Sequence, residues 1–133
     1  MRTLFFLIFI VIFPAVAYSQ PSIVFDTDRH DFGLVPRGDK LEHTFGFANR
    51  GDEELIIEKL VPSWGCTATM ASSSRLKPRE KGKITARVNI KGEEGFISSV
   101  VRVLSNDPAT PVVTLFLEAM IEDTTDTPSV TKK

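Results

Sequence analysis

KITARVNI, residues 83–90, decides the fold class. Ile84, Ala86, Val88 and Ile90 alternate strictly with Lys83, Thr85, Arg87 and Asn89. A period of two places the first set on one face of an extended strand and the second on the other, whereas a helix would scatter both sets around its axis. The same pattern recurs upstream in KLEHTFGFAN, residues 40–49. There Leu41, His43, Phe45 and Phe47 share one face, and Glu42, Thr44, Gly46 and Ala48 the other. Between these two stretches lies ELIIEKLV, residues 54–61, which reads as a strand buried on both faces. Beyond them come FISSVVRVLS (96–105) and PVVTLFLEAMI (111–121), joined by Asn106-Asp107-Pro108. PSIVFD (21–26) and RHDFGLV (29–35) add two short pieces before the first long strand.

Turn residues punctuate every interval: Pro36-Arg37-Gly38-Asp39, Asn49-Arg50-Gly51-Asp52, the run Lys77 to Gly82, and Gly92 to Gly95. Asn and Gly tolerate positive φ, and Pro presets a turn. Val, Ile, Thr and Phe dominate the runs, which disfavours helices. Several short strands over about 100 residues predict an all-β fold, a single antiparallel sandwich of immunoglobulin type.

The first residues read differently. Arg2 precedes an unbroken apolar run, Leu4 to Phe13, which Pro14 ends. Ala15-Val16-Ala17 and Ala17-Tyr18-Ser19 both satisfy the small-x-small rule of signal peptidase. Residues 1–19 are therefore predicted to be a signal peptide, cut before Tyr18 or Gln20 and leaving no membrane span. The apolar run falls well short of the ~20 residues a spanning helix needs. The predicted domain occupies residues 22–121, and EDTTDTPSVTKK, residues 122–133, has too little apolar surface to fold. The expected destination is the periplasm, the cell envelope or the medium.

The chain of 133 residues carries 16 Lys+Arg against 17 Asp+Glu, a formal net charge of −1. That balance argues against a dedicated nucleic-acid binder. A single cysteine excludes an internal disulfide and every multi-cysteine zinc site. No phosphate loop, dinucleotide fingerprint or Ser-His-Asp set can be assembled, so neither catalysis nor a cofactor is expected. Asp31-Phe32-Gly33 matches a kinase metal-binding triplet in letters alone; here Phe32 should pack and Gly33 turn.

Three phrases occur in fixed order: HDFGLVPRGDKLEHTFGFANRGDEELIIEKLVPSWGCTA (30–68), LKPREKGKITARVNI (76–90) and GFISSVVRVLSNDP (95–108). Together they resemble the bacterial domain of unknown function 1573 family, itself similar to PapD-like, major-sperm-protein and ASH-type modules. The resemblance covers roughly residues 25 to 120. It implies an exported sandwich of seven to eight strands, and related folds act mainly in binding and scaffolding. The family's usual Ser-Cys-Gly-Cys-Thr phrase departs here, since Trp64 stands where the first cysteine would be and only Cys66 remains. Paired-thiol chemistry does not carry over.

Candidate binding residues fall into three groups. Trp64 is expected to plug the space between the sheets, with recognition at the surface as the competing reading. Cys66 then opens the next strand as a small buried residue, or else serves a thiol-dependent metal or redox role or links a dimer. Phe116 and Met120 share the face of the last strand opposite Val113, Leu115, Leu117 and Ala119, and form an apolar strip if nothing covers them. Arg79, Lys81, Lys83 and Arg87 belong to a basic run that reads first as a solvated face broken by Pro78 and Gly82, with an anionic envelope polymer or an acidic partner as the competing reading. His43 on its apolar strand face, and Asp26, Asp28 and Asp31 beside His30, read as structural and solvated residues respectively. The expected partner is a protein, met through a sheet edge or the Trp64 loop.

Overall fold

The computed structural model describes residues 9–14, 19–38, 40–64 and 66–123, with backbone only for Cys66–Met70. Its strands are β1 (Ile23–Phe25), β2 (Arg29–Val35), β3 (Lys40–Asn49), β4 (Leu55–Pro62), β5 (Cys66–Ala71), β6 (Arg75–Leu76), β7 (Lys81–Asn89), β8 (Gly95–Ser105) and β9 (Val112–Ile121). They form a four-stranded sheet, β1-β3-β7-β5, and a five-stranded sheet, β2-β9-β8-β4-β6. The two sheets pack face to face as an immunoglobulin-like β-sandwich. The strand total exceeds seven to eight because β6, only 2 residues long, pairs with the start of β4.

The alternation of KITARVNI holds throughout. Ile84, Ala86, Val88 and Ile90 are buried to 2 % exposure or less. Phe45 and Phe47 join them from β3, and Leu115, Leu117, Ala119 and Ile121 face them from β9. Val101 and Val103 of β8 and Leu55 of β4 complete the layer. Side chains interdigitating between two such faces are the source of sandwich stability.

Two features depart from the expectation. The sandwich is not wholly antiparallel, because β2 runs parallel to β9 at the edge of the larger sheet. A parallel pair needs a long crossover, and here residues 36–111, more than half of the chain, lie between the two strands. Strand β4 is buried on one face only. Leu55 and Ile57 point inward, but the register shifts between Ile57 and Lys59, leaving Glu58 and Lys59 exposed.

Two turns act as hydrogen-bonded clamps. Asn49, wholly buried, accepts at Oδ1 from the N–H groups of Ser22 (3.2 Å) and Gly51 (3.0 Å). Its Nδ2 donates to the carbonyls of Glu53 (2.6 Å) and Leu76 (3.2 Å). At the other turn, Asp107 accepts from the N–H groups of Ile23, Ala109 and Thr110 at 2.9, 2.8 and 3.1 Å. Beside it Asn106 bonds both the N–H of Ile56 and the carbonyl of Glu54. Gly51 is required for space: a Cβ there would meet the Gln20 carbonyl at 2.1 Å. The segment Ser19 to Ser22 is thus bound to the domain, with Asp52 accepting from Gln20 N–H and the Ser19 hydroxyl.

Phe9, Ile10, Val11, Ile12 and Phe13, from the N-terminal apolar run, are 61–85 % exposed. Among the described residues no helix is long and apolar enough to cross a membrane. The predicted tail lies outside the described residues from position 124 onward.

Candidate binding surface

Trp64 is not a core plug. It is 62 % exposed, just past the end of β4, where the chain leaves the five-stranded sheet. The inter-sheet space is already filled by Phe45, Phe47 and the aliphatic residues of β7 to β9. The backbone beneath the indole is nevertheless held firmly. Ser63 N–H donates to the Val100 carbonyl, and Val100 N–H donates to Ser63 Oγ, both at 2.8 Å. The buried Ser99 hydroxyl donates to the Trp64 carbonyl, also at 2.8 Å. A large aromatic held outward on a fixed backbone loses little freedom when it is covered, which favours binding.

Directly after this loop comes β5, with Cys66 opposite Val88 of β7. Cys66 therefore begins the next strand, as the sequence suggested; its thiol lies outside the described side chains. Among the described residues no strand pairs with the other side of β5, so it is a free edge of the four-stranded sheet. Such an edge presents backbone donors and acceptors to any extended segment.

The outer face of the five-stranded sheet splits the expected Phe116–Met120 strip. Phe116 is half-buried under the Arg29 guanidinium, 4.6 Å from the ring centroid, and Arg29 is ion-paired with Glu118. Met120 is open, at 45 % exposure. Its cross-strand neighbours are Leu34 on β2 and Phe96 on β8, both more exposed still. The row Leu34–Met120–Phe96 is therefore the apolar feature of this face. Phe96 was legible as the residue opposite Ile97 in FISSVV. Leu34 was not, because a bulge between Asp31 and Leu34, with Gly33 at φ 73°, turns it outward.

The basic run does not act as one stripe. Arg87 pairs with Glu42 of the neighbouring strand β3, and Arg75 of β6 with Glu54, just before β4, at 2.8 Å. Lys81, Lys83 and Arg87 do lie on the outward face of β7. Arg79 sits in the preceding turn and donates to the Arg50 carbonyl at 3.3 Å.

Inside the sandwich, His30 of β2 and His43 of β3 stack with ring centroids 3.7 Å apart and planes 6° from parallel. Phe32 meets His30 edge-on and Phe45 meets His43 edge-on. Their strand partners facing inward, Leu117 and Ala86, are apolar. Burial, and then the nearby His30, hold His43 below the usual histidine range. The folded chain thus binds fewer protons at His43 than the unfolded chain does. That stability is complete above the unfolded value of about 6.5 and is lost as pH falls below it. The urea midpoint should therefore decline between pH 7 and 5, and His43→Phe should flatten the decline. An equal decline in the variant would assign it to other groups.

The comparisons with known proteins agree with this architecture. A family model described as "Protein of unknown function (DUF1573)" matches residues 23–121. The comparison with curated proteins finds no match. Among solved structures, a protein of unknown function from Porphyromonas gingivalis W83 is similar, with TM-score 0.68 and 18 % identity over 81 % of this chain. The chain spans only 50 % of that protein. The PapD-like (ASH) domain 7 of human CEP192 matches with TM-score 0.56 and 12 % identity, covering 85 % of this chain and 94 % of that one. The secreted serine protease VesC of Vibrio cholerae matches with TM-score 0.58 and 16 % identity, over 76 % of this chain and 23 % of its own. At these identities the likenesses establish the fold.

Proposed function

The chain belongs to this family of unknown function, and from that premise we propose that it is an exported, non-enzymatic module that binds a protein partner along β5 and Trp64. One observation carries the reading: a 62 %-exposed tryptophan on a hydrogen-bonded backbone stands beside a free strand edge. An extended partner segment pairing with β5 would gain main-chain hydrogen bonds, and the indole would supply apolar area at the entrance to that edge. The leader pattern of residues 1–19 supports export, with the mature chain beginning at Tyr18 or Gln20.

The test uses the processed chain as bait on the envelope fraction of the producing cells. A partner should be retained by the wild-type chain and lost from Trp64→Ala, whose melting should match the wild type. Capture of the same proteins by both would overturn the binding reading. The intact mass of the exported chain checks the leader separately, and retention of Met1 in the exported chain would remove that part.

A further inference from the structure

We infer that Arg50, Arg79 and Lys81, at the end of β7 away from Cys66, form a binding site for a phosphate-type anion, free or as a sugar phosphomonoester. The proposal stands whether or not a protein binds along β5 and Trp64. These three residues, with Ala48 and Asn49, line a shallow cavity of about 260 Å³. All three cationic side chains are exposed, whereas Asn49 beneath them is buried and hydrogen-bonded to Ser22, Gly51, Glu53 and Leu76.

Two further observations single out this cluster. The ion pairs among the described residues engage Arg29, Arg37, Arg75 and Arg87, and none engages Arg50, Arg79 or Lys81. Two neighbouring carboxylates make hydrogen bonds of their own. Glu80 accepts from Lys77 N–H, and Asp52, which does feel the charge of Arg79, accepts from Gln20 N–H and the Ser19 hydroxyl. The second observation is backbone strain. Arg79 has φ 72°, and it is the non-glycine residue with positive φ among those described. Its N–H is held by the Asn49 carbonyl at 2.8 Å, and Asn49 N–H returns a bond to the Glu80 carbonyl. Glycine would occupy this left-handed position without strain. Arg79 Nη1 also donates to the Arg50 carbonyl at 3.3 Å, which fixes the side chain of the strained arginine at the cavity beside two other cations that enter no ion pair among the described residues. A guanidinium presents a fork of donors matched to phosphate oxygens, and an ammonium adds a point charge.

Titration calorimetry of the full chain with inorganic phosphate at low salt tests this. The expected result is saturable binding that weakens about tenfold or more in Arg79→Gly and in Lys81→Gln. Arg79→Gly should melt at or above the wild-type temperature, so lost binding cannot be ascribed to unfolding. Lys59→Gln, an equal charge change on the other sheet, should bind as the wild type does. Non-saturable binding, unchanged affinity in Arg79→Gly, or an equal loss in Lys59→Gln would each overturn the site. A parallel titration with glucose 6-phosphate separates the sources: tighter binding than phosphate supports a sugar ester, and equal binding supports the free anion.

Discussion

Asn49→Ala is expected to lower the free energy of unfolding by about 3 kcal/mol, read from urea melts at neutral pH. The side chain is wholly buried and makes four hydrogen bonds to four different residues. Removing it strands the buried Leu76 carbonyl at the foot of β6 and frees the N–H groups of Ser22 and Gly51. Each orphaned buried group costs roughly 1–3 kcal/mol, while those nearer solvent recover part of the loss by binding water. The consequence extends to the chain's N-terminal segment. Ser22 is one of the links that hold Ser19 to Ser22 on the domain, beside the Asp52 bonds to Ser19 and Gln20, and its carbonyl also accepts from Arg50 N–H at 2.8 Å. The variant should therefore show faster amide exchange at Gln20 and Asp52 as well as lower global stability. A loss under about 1 kcal/mol would mean that water replaces the amide in this pocket.

Much of this architecture was readable from period and punctuation alone. The inward and outward faces of β3, β7 and β9 follow directly from alternation, because each strand has one dry face and one wet one. Partner choice did not follow. The parallel seating of β2 against β9 depends on hydrogen bonds between the two ends of the chain, and no local pattern encodes it. The two-sided apolar run of β4 misled for a related reason: the register shift at Glu58 displaces the strand's second half and leaves only Leu55 and Ile57 fully inward. The phrases around Asn49 and Asn106-Asp107 were visible as turns. Their work as clamps between distant strands became visible only with the contacts in place. On the candidate surface, Met120 was legible by strand parity, but its neighbour Leu34 required the Gly33 bulge. Arg50 escaped notice because its turn, between β3 and β4, meets the turn before β7 only through the pairing of β3 with β7.

Phe45→Ala should cost about 3–5 kcal/mol in the same urea melts, and Trp64→Ala less than about 1 kcal/mol. Size alone predicts the reverse order, since tryptophan offers the larger apolar area. Location decides it. Phe45 is 1 % exposed, lies opposite the fully buried Ile84, and meets the His43 ring edge-on at 4.7 Å. Its removal opens a cavity between sheets whose other residues cannot close it without moving both layers. Trp64 keeps 62 % of its surface in water, and the bonds that order its loop come from Ser63 and Ser99 and from the backbone, not from the indole. Alanine at position 64 leaves all of them in place. Tryptophan's large apolar area stabilises a fold only when folding covers it; left outside, the same area becomes available to a partner. A destabilisation of Trp64→Ala comparable to that of Phe45→Ala would place the indole in the core and remove the surface on which binding along β5 depends.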